Sequence, residues 1–366
     1  MSPNSTNNDS IIYDTFGLTY EQSRLMFSVQ KMIAQYDSSL AQEKALQRQK
    51  TKQAKLEWVE NWEKGIAIYL DGMDGNRGGE LVNAENIKEE FEKELSVSPN
   101  KTWVYIIALE CLEFSPYTPL GGDNDKAYKG LNHNASKCHE YVKAVFADNR
   151  VLSAETLDQL HNTYTKSINQ ISGKAGKMAT KVLAVVAIGA IAAALTAVGA
   201  GPIAVGLFGS QFSGLTGIAL TNACLALAGG GAIAAGGLGM AGGVAIIAGG
   251  GALLGLAGGG TAVGMLSYMM CHSPEYALTQ SAKLETILKE VILNAQKDVV
   301  SAQTIISQYR AQIDQLNKKI TELETDNEKH KEELKNLHAS IKYLKKSCQS
   351  MNKFTSSFQI GIQSAG

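Results

Sequence analysis

The hydrophobic positions divide the chain into three regimes. In the first, from 18 to about 70, they recur at helical spacing, with Leu25, Val29, Met32, Ile33, Tyr36 and Leu40 on one face. The stretch 47–55 (Gln-Arg-Gln-Lys-Thr-Lys-Gln-Ala-Lys) has no apolar face and reads as a solvated part of a helix. Trp58 and Trp62 stand one turn apart, placed to anchor that helix to a neighbour. Turn residues interrupt the pattern over 71–79. Further helices are expected over 84–95, 102–114, 125–147 and 153–171, with a loop over 115–123; Ser153 and Glu155 give the last of them an N-terminal signal. No alternating run of useful length occurs, so the chain is expected to be all-α.

The second regime is uncharged. After Lys181 the next Asp, Glu, Lys or Arg is Glu275, a gap of 93 residues. A run of about 18 or more apolar residues is the usual signal for a membrane helix, and this one has room for several. The cleanest candidate is 182–198, followed by a Gly-Ala-Gly-Pro interruption at 199–202, a second stretch at 215–228 and a longer one at 232–268. Of the 36 glycines, 23 fall between Gly189 and Gly264. Gly231, Ala235, Gly239, Gly243, Gly251, Gly255 and Gly259 sit at i+4 steps, interrupted only by Ile247. Such a small-residue stripe lets helix backbones approach closely where lipid supplies no hydrophobic drive between helices. In water the same glycines would each cost about 0.8–1.0 kcal/mol relative to alanine, so the pattern makes sense within a membrane or in tight mutual packing.

The third regime is a heptad repeat. Ile292, Val299, Ile306, Ile313, Ile320, Asn327, Leu334 and Ile341 occupy one seam position. Leu288, Ala295, Ala302, Tyr309, Leu316, Leu323, His330, Leu337 and Leu344 occupy the other. A sustained 3.5-residue period predicts a left-handed coiled coil, with Asn327 and His330 as polar interruptions that fix register. As one rod it would be about 85 Å long. Its partner would be a second copy or, within the chain, the helix over 18–70.

These regimes give the expected organisation: a disordered tail over 1–17, a helical N-terminal domain over 18–174, and a glycine-rich membrane segment over 182–270, forming one or more insertion hairpins. A coiled-coil helix over 281–346 and a flexible tail over 350–366 complete it. With 34 basic and 35 acidic residues, the chain lacks the concentrated positive charge of a nucleic-acid binder. Five scattered cysteines form no disulfide framework or zinc pattern and suggest a reducing compartment. The polar N-terminus does not read as a secretory signal. Lys166, Lys174, Lys177 and Lys181 before the apolar segment favour a cytoplasmic N-terminal arm. The charged C-terminal arm would share that side, which requires an even number of spans.

Catalytic chemistry is not apparent. The run 173–177 (Gly-Lys-Ala-Gly-Lys) lacks Walker spacing. Asp71, Asp74 and Glu80 have the wrong spacing for a calcium loop. His133, Cys138 and His139 are near one another but form no ligand pattern, so no cofactor, no metal and no enzymatic activity are expected.

A helical arm, a glycine-rich hydrophobic insert at 182–270 and a long heptad helix at 284–344 together resemble the cytolysin A-type α-helical pore-forming toxins. The present insert is longer and richer in glycine, and 72–147 is divided into short helices. The run 229–243 is similar to the glycine-zipper segments of bacterial membrane proteins. The resemblance implies a tail of long helices and an apolar head that opens onto a bilayer. The expected function is therefore a membrane-inserting effector, pore-forming or permeabilising, with the bilayer and further copies or related helical subunits as partners. The competing reading is a constitutively anchored coiled-coil scaffold that recruits proteins.

Overall fold

The computed structural model describes residues 16–40, 46–73, 79–118, 125–173, 274–324 and 331–365. Every regular element among them is helical, as the sequence pattern predicts. The N-terminal half comprises α1 (Tyr20–Ser39), α2 (Leu46–Met73), α3 (Ile87–Val97), α4 (Thr102–Leu112), the single turn α5 (Asp125–Tyr128) and α6 (Ala135–Asp148). The C-terminal half comprises α7 (Ala154–Ser172), α8 (Pro274–Ile287), a π-helical segment (Leu288–Ala295), α9 (Val299–Glu324) and α10 (Lys331–Ala365). The segment 182–270, with its packing stripe Gly231, Ala235, Gly239, Gly243, Gly251, Gly255 and Gly259, lies outside the described residues, as do Asn327 and His330.

Local chemistry starts these helices. A capping box opens α1: the Thr19 hydroxyl accepts from the Gln22 backbone N–H, and the Gln22 side-chain carbonyl accepts from that of Thr19. The Gln22 amide also donates to Glu94 at 2.7 Å, which pins the start of α1 to the end of α3. Ser153 caps α7 by accepting from the Thr156 N–H, in line with its sequence signal. At the other end of α7, Gly173 adopts φ +70°, the left-handed turn that closes a helix and that glycine enters without strain. The Lys346 ammonium donates to the Ile171 carbonyl there, placing a cation on the negative end of the helix dipole.

In the N-terminal half, α1 packs against α2, α3, α4 and α6. Trp58 and Trp62 on α2 are wholly buried with rings 5.9 Å apart, and they meet Phe27, Phe114 and Tyr117. Apart from Thr102 and Glu110, α4 is apolar on every side; all its residues but Tyr105 are buried. A helix hydrophobic on all sides belongs in a core, and α4 reaches both halves by touching α1, α6, α7 and α8.

Four expectations are corrected. Phe16, assigned to the disordered tail, is fully buried. Lys55, assigned to the solvated run, is buried and donates to Asp37 at 2.6 Å. Asp37 further accepts from the Tyr117 hydroxyl at 2.8 Å and the Asn134 backbone N–H at 2.7 Å. This buried carboxylate thus ties α1 to α2, to the loop after α4 and to the start of α6. Tyr117 holds φ +69° to reach it, an uncommon backbone state for a side chain of that size. The third correction concerns the coiled coil. In place of one rod, the helix widens into the π segment, ends at Lys297 with φ +59°, and resumes as α9. α10 then packs antiparallel on α9: Gln303 meets Gln359, while Arg310 and Asp314 share a groove with Asn352, Cys348 and Lys345. The heptad positions Ile306, Ile313, Ile320, Leu334, Leu337, Ile341 and Leu344 are buried, and within the chain α9 packs on α10 where the helix over 18–70 was expected. Ala295, by contrast, is exposed. Fourth, the tail expected to be loose continues α10 to Ala365.

The Asp37 hub is testable. Asp37→Ala would leave the Lys55 ammonium buried without its counter-ion and free two further donors. It should cost about 3–5 kcal/mol of stability, measured by denaturant unfolding followed through the nearby tryptophans. A loss below about 1 kcal/mol would mean that Lys55 finds solvent in the folded state.

Candidate functional site

The part of the body that bears on the apolar segment is the bundle of α7, α8, α9 and α10, because α7 leads into that segment and α8 leads out of it. Hydrogen bonds fix the helix directions. Thr163, at the middle of α7, donates to Glu290 in the π segment, which follows α8. Near the other end of α7, Gln170 donates to Ser350, and Ser350 donates to Glu285 within α8. The helices α7 and α8 are therefore antiparallel. α10 runs parallel to α8, since Ser347 donates to the Ser281 carbonyl and Ser350 to Glu285. Consequently Gly173 and Pro274 lie at the same end of the bundle, within about two helical turns of each other along its axis.

α8 occupies the centre. Every residue from Tyr276 to Ile287 is buried, yet the sequence there (Tyr-Ala-Leu-Thr-Gln-Ser-Ala-Lys-Leu-Glu-Thr-Ile) is half polar. Burial of such groups is tolerated only when they are paired. Lys283 donates to Glu110 of α4 at 2.8 Å, with the two side chains 4% and 2% exposed. Glu285 accepts from Lys289, Ser350 and Ser347. The Ser281 and Tyr309 hydroxyls lie 2.8 Å apart, and burial pushes the Tyr309 phenol well above its ordinary range. Gln280 is the exception: among the described residues neither end of its buried amide has a partner, which costs about 1–3 kcal/mol.

A second constellation lies where α4, α6 and α7 meet. His161 Nδ1 on α7 is 2.9 Å from the Glu113 carboxylate, in the residue that ends α4. The His139 ring on α6 stands edge-on to that of His161, centroids 4.3 Å apart at 74°. One ligand atom from each of the three residues falls within 4.8 Å of the other two. The hydrogen bond to Glu113 raises the His161 pKa from its ordinary value, whereas burial lowers that of His139.

The structure separates the trio that proximity in sequence suggested. Cys138 turns towards Asp37, with its sulfur 3.9 Å from Oδ1, and burial pushes its thiol pKa up to about 12. His139, the next residue, meets His161 and Glu113 instead. Neither Glu113 nor His161 carries a sequence signal for this site, because each is separated from His139 by more than twenty residues. The residues singled out for helix packing and coiled-coil register all lie outside the described part of the chain. Among the described residues no helix is long and apolar enough to cross a membrane. No known family model, characterised protein or solved structure matches the chain.

The buried pair between α4 and α8 gives a sharp expectation. Lys283→Ala would remove the buried counter-ion of Glu110, at a cost of about 3–5 kcal/mol, while Glu110→Leu combined with Lys283→Met should recover most of that loss. Thermal melts of the two variants beside the parent measure the difference. Equal destabilisation by both would place the joint between the halves elsewhere.

Proposed function

We propose that the protein is a membrane-inserting helical effector, pore-forming or permeabilising, whose helical body carries the 182–270 segment to a bilayer. The observation that carries this reading is the 93-residue uncharged run with its i+4 glycine stripe. A simple anchor needs only about 20 apolar residues. The bundle geometry supports the reading, because the two flanks of the run leave the body at one end. An even number of spans, two or four, would return the chain to its starting side. Both arms would then face the cytoplasm in a constitutively inserted form. Within the bilayer, the stripe Gly231, Ala235, Gly239, Gly243, Gly251, Gly255 and Gly259 would bring helices of the same or neighbouring copies into close packing.

Conditional insertion is favoured by the composition of α8. A central helix held by ion pairs and hydroxyl contacts, and carrying an unpaired amide, loses less on leaving its surroundings than an apolar helix of the same length. Opening of the bundle around α8 would free the helix that follows the segment.

Release of a trapped dye from liposomes by the purified full chain tests the proposal. The parent protein is expected to cause leakage. The double variant Gly239→Ile/Gly243→Ile should bind vesicles equally but leak at least about tenfold more slowly, because bulky side chains block close helix approach. Deletion of 182–270 should abolish vesicle binding and leave a helical circular-dichroism spectrum. Vesicle binding without leakage by the parent would sink the pore-forming reading and favour the membrane-anchored scaffold.

A further inference from the structure

We infer that Glu113, His139 and His161 form a binding site for a zinc-class divalent transition-metal ion, a two-histidine, one-carboxylate set that ties α7 to α4 and α6. The inference is independent of the membrane reading, since it rests on the helical body alone.

The donor set is the first support. Imidazole nitrogens and a carboxylate oxygen are the ligands that zinc and its neighbours in the first transition row accept, and three of them leave further positions for water. The placement is the second. Each ligand comes from a different helix: Glu113 from the end of α4, His139 from the second turn of α6, and His161 from the middle of α7. Their ligand atoms already lie within 4.8 Å of one another. Around a tetrahedral ion with bonds of about 2.1 Å, ligand atoms stand about 3.4 Å apart. Side-chain rotation of the order of 1 Å therefore closes the site without moving a helix.

Exposure provides the third support. The Glu113 side chain is 6% exposed and that of His161 32%. A carboxylate on the inner side and an imidazole open to solvent give an ion both an anchoring charge and a path of entry. The Asp37 hub offers no comparable site. Its carboxylate is already engaged by Lys55, Tyr117 and the Asn134 N–H, and the Lys55 ammonium occupies the place a cation would take.

An ion at this position would join the end of α4 to α6 and α7, stabilising the folded state by mass action in proportion to free metal. The full chain, stripped with a chelator and desalted, would be titrated with zinc chloride in competition with a chromogenic zinc indicator. One equivalent is expected to bind, with a rise in melting temperature. Glu113→Gln keeps the side-chain shape and a hydrogen-bond acceptor for His161, so it preserves the fold while removing the anionic ligand. This variant and His161→Gln should each weaken binding at least about tenfold and lose the thermal shift. His338→Ala alters an exposed histidine on α10 and should bind as the parent does. Circular dichroism verifies the fold of each variant. Absence of saturable binding by the parent would overturn the inference. So would affinity unchanged in both ligand variants, or affinity lost only on substitution of His133 and Cys138.

Discussion

The buried ion pair between Lys283 and Glu110 is the constraint on which the joining of the two halves depends. Glu110 sits in α4, whose other buried residues are almost all apolar, and Lys283 sits in the buried run Tyr276–Ile287 of α8. Neither charge can reach water without displacing a helix, so each fixes the position of the other. Buried pairs of this kind add little net stability compared with apolar side chains of the same volume, but breaking one is costly. Their contribution is to choose one arrangement from several of similar hydrophobic energy. In this protein that choice determines how α8 sits against the N-terminal half.

The two halves solve the same packing problem by different means. α4 is buried because its residues are apolar; removing it from its surroundings would expose most of a hydrophobic core. α8 is buried although half its residues are polar, with Ser281, Lys283 and Glu285 each matched by a partner on another element. Polar matching is directional and is readily replaced by water, whereas hydrophobic burial is neither. The weaker attachment therefore holds α8, which follows the segment in the chain, and the stronger one holds α4. The π-helical stretch after α8 reinforces this contrast. It turns Glu290 towards Gln159 and Thr163 of α7, adding one more polar clasp between the helices that flank the segment.

Helix positions were legible in the sequence wherever an apolar face or a capping group announced them. Ser153 marked the start of α7, and Trp58 and Trp62 marked the buried side of α2. What periodicity does not encode is the partner of a buried face. Leu288 to Leu344 keeps a seven-residue repeat whether the helix is one rod or doubles back, since α9 and α10 need the same seam in either case. Lys55 was misplaced for a related reason: in a run of polar residues nothing local distinguishes the one lysine opposite Asp37. The cluster of Glu113, His139 and His161 exists only after three helices have packed, and no spacing in the chain foreshadows it. Phe16 and the residues after 350 show the limit of composition as a guide to order, because a polar stretch is held wherever its few apolar side chains find a surface.

The fold-back of α10 onto α9 also bears on how the proposed membrane assembly would form. A free heptad rod would offer a coiled-coil seam to neighbouring copies. In the folded body Ile306, Ile313, Ile320, Leu334, Leu337 and Ile341 are already buried, so recruiting that seam would first require separating two long helices. The glycine stripe between Gly231 and Gly259 carries no such prior cost in a bilayer, where close backbone packing is the available source of helix affinity. Assembly through the segment, with the helical body remaining closed except around α8, is therefore the arrangement that disturbs the least buried apolar surface.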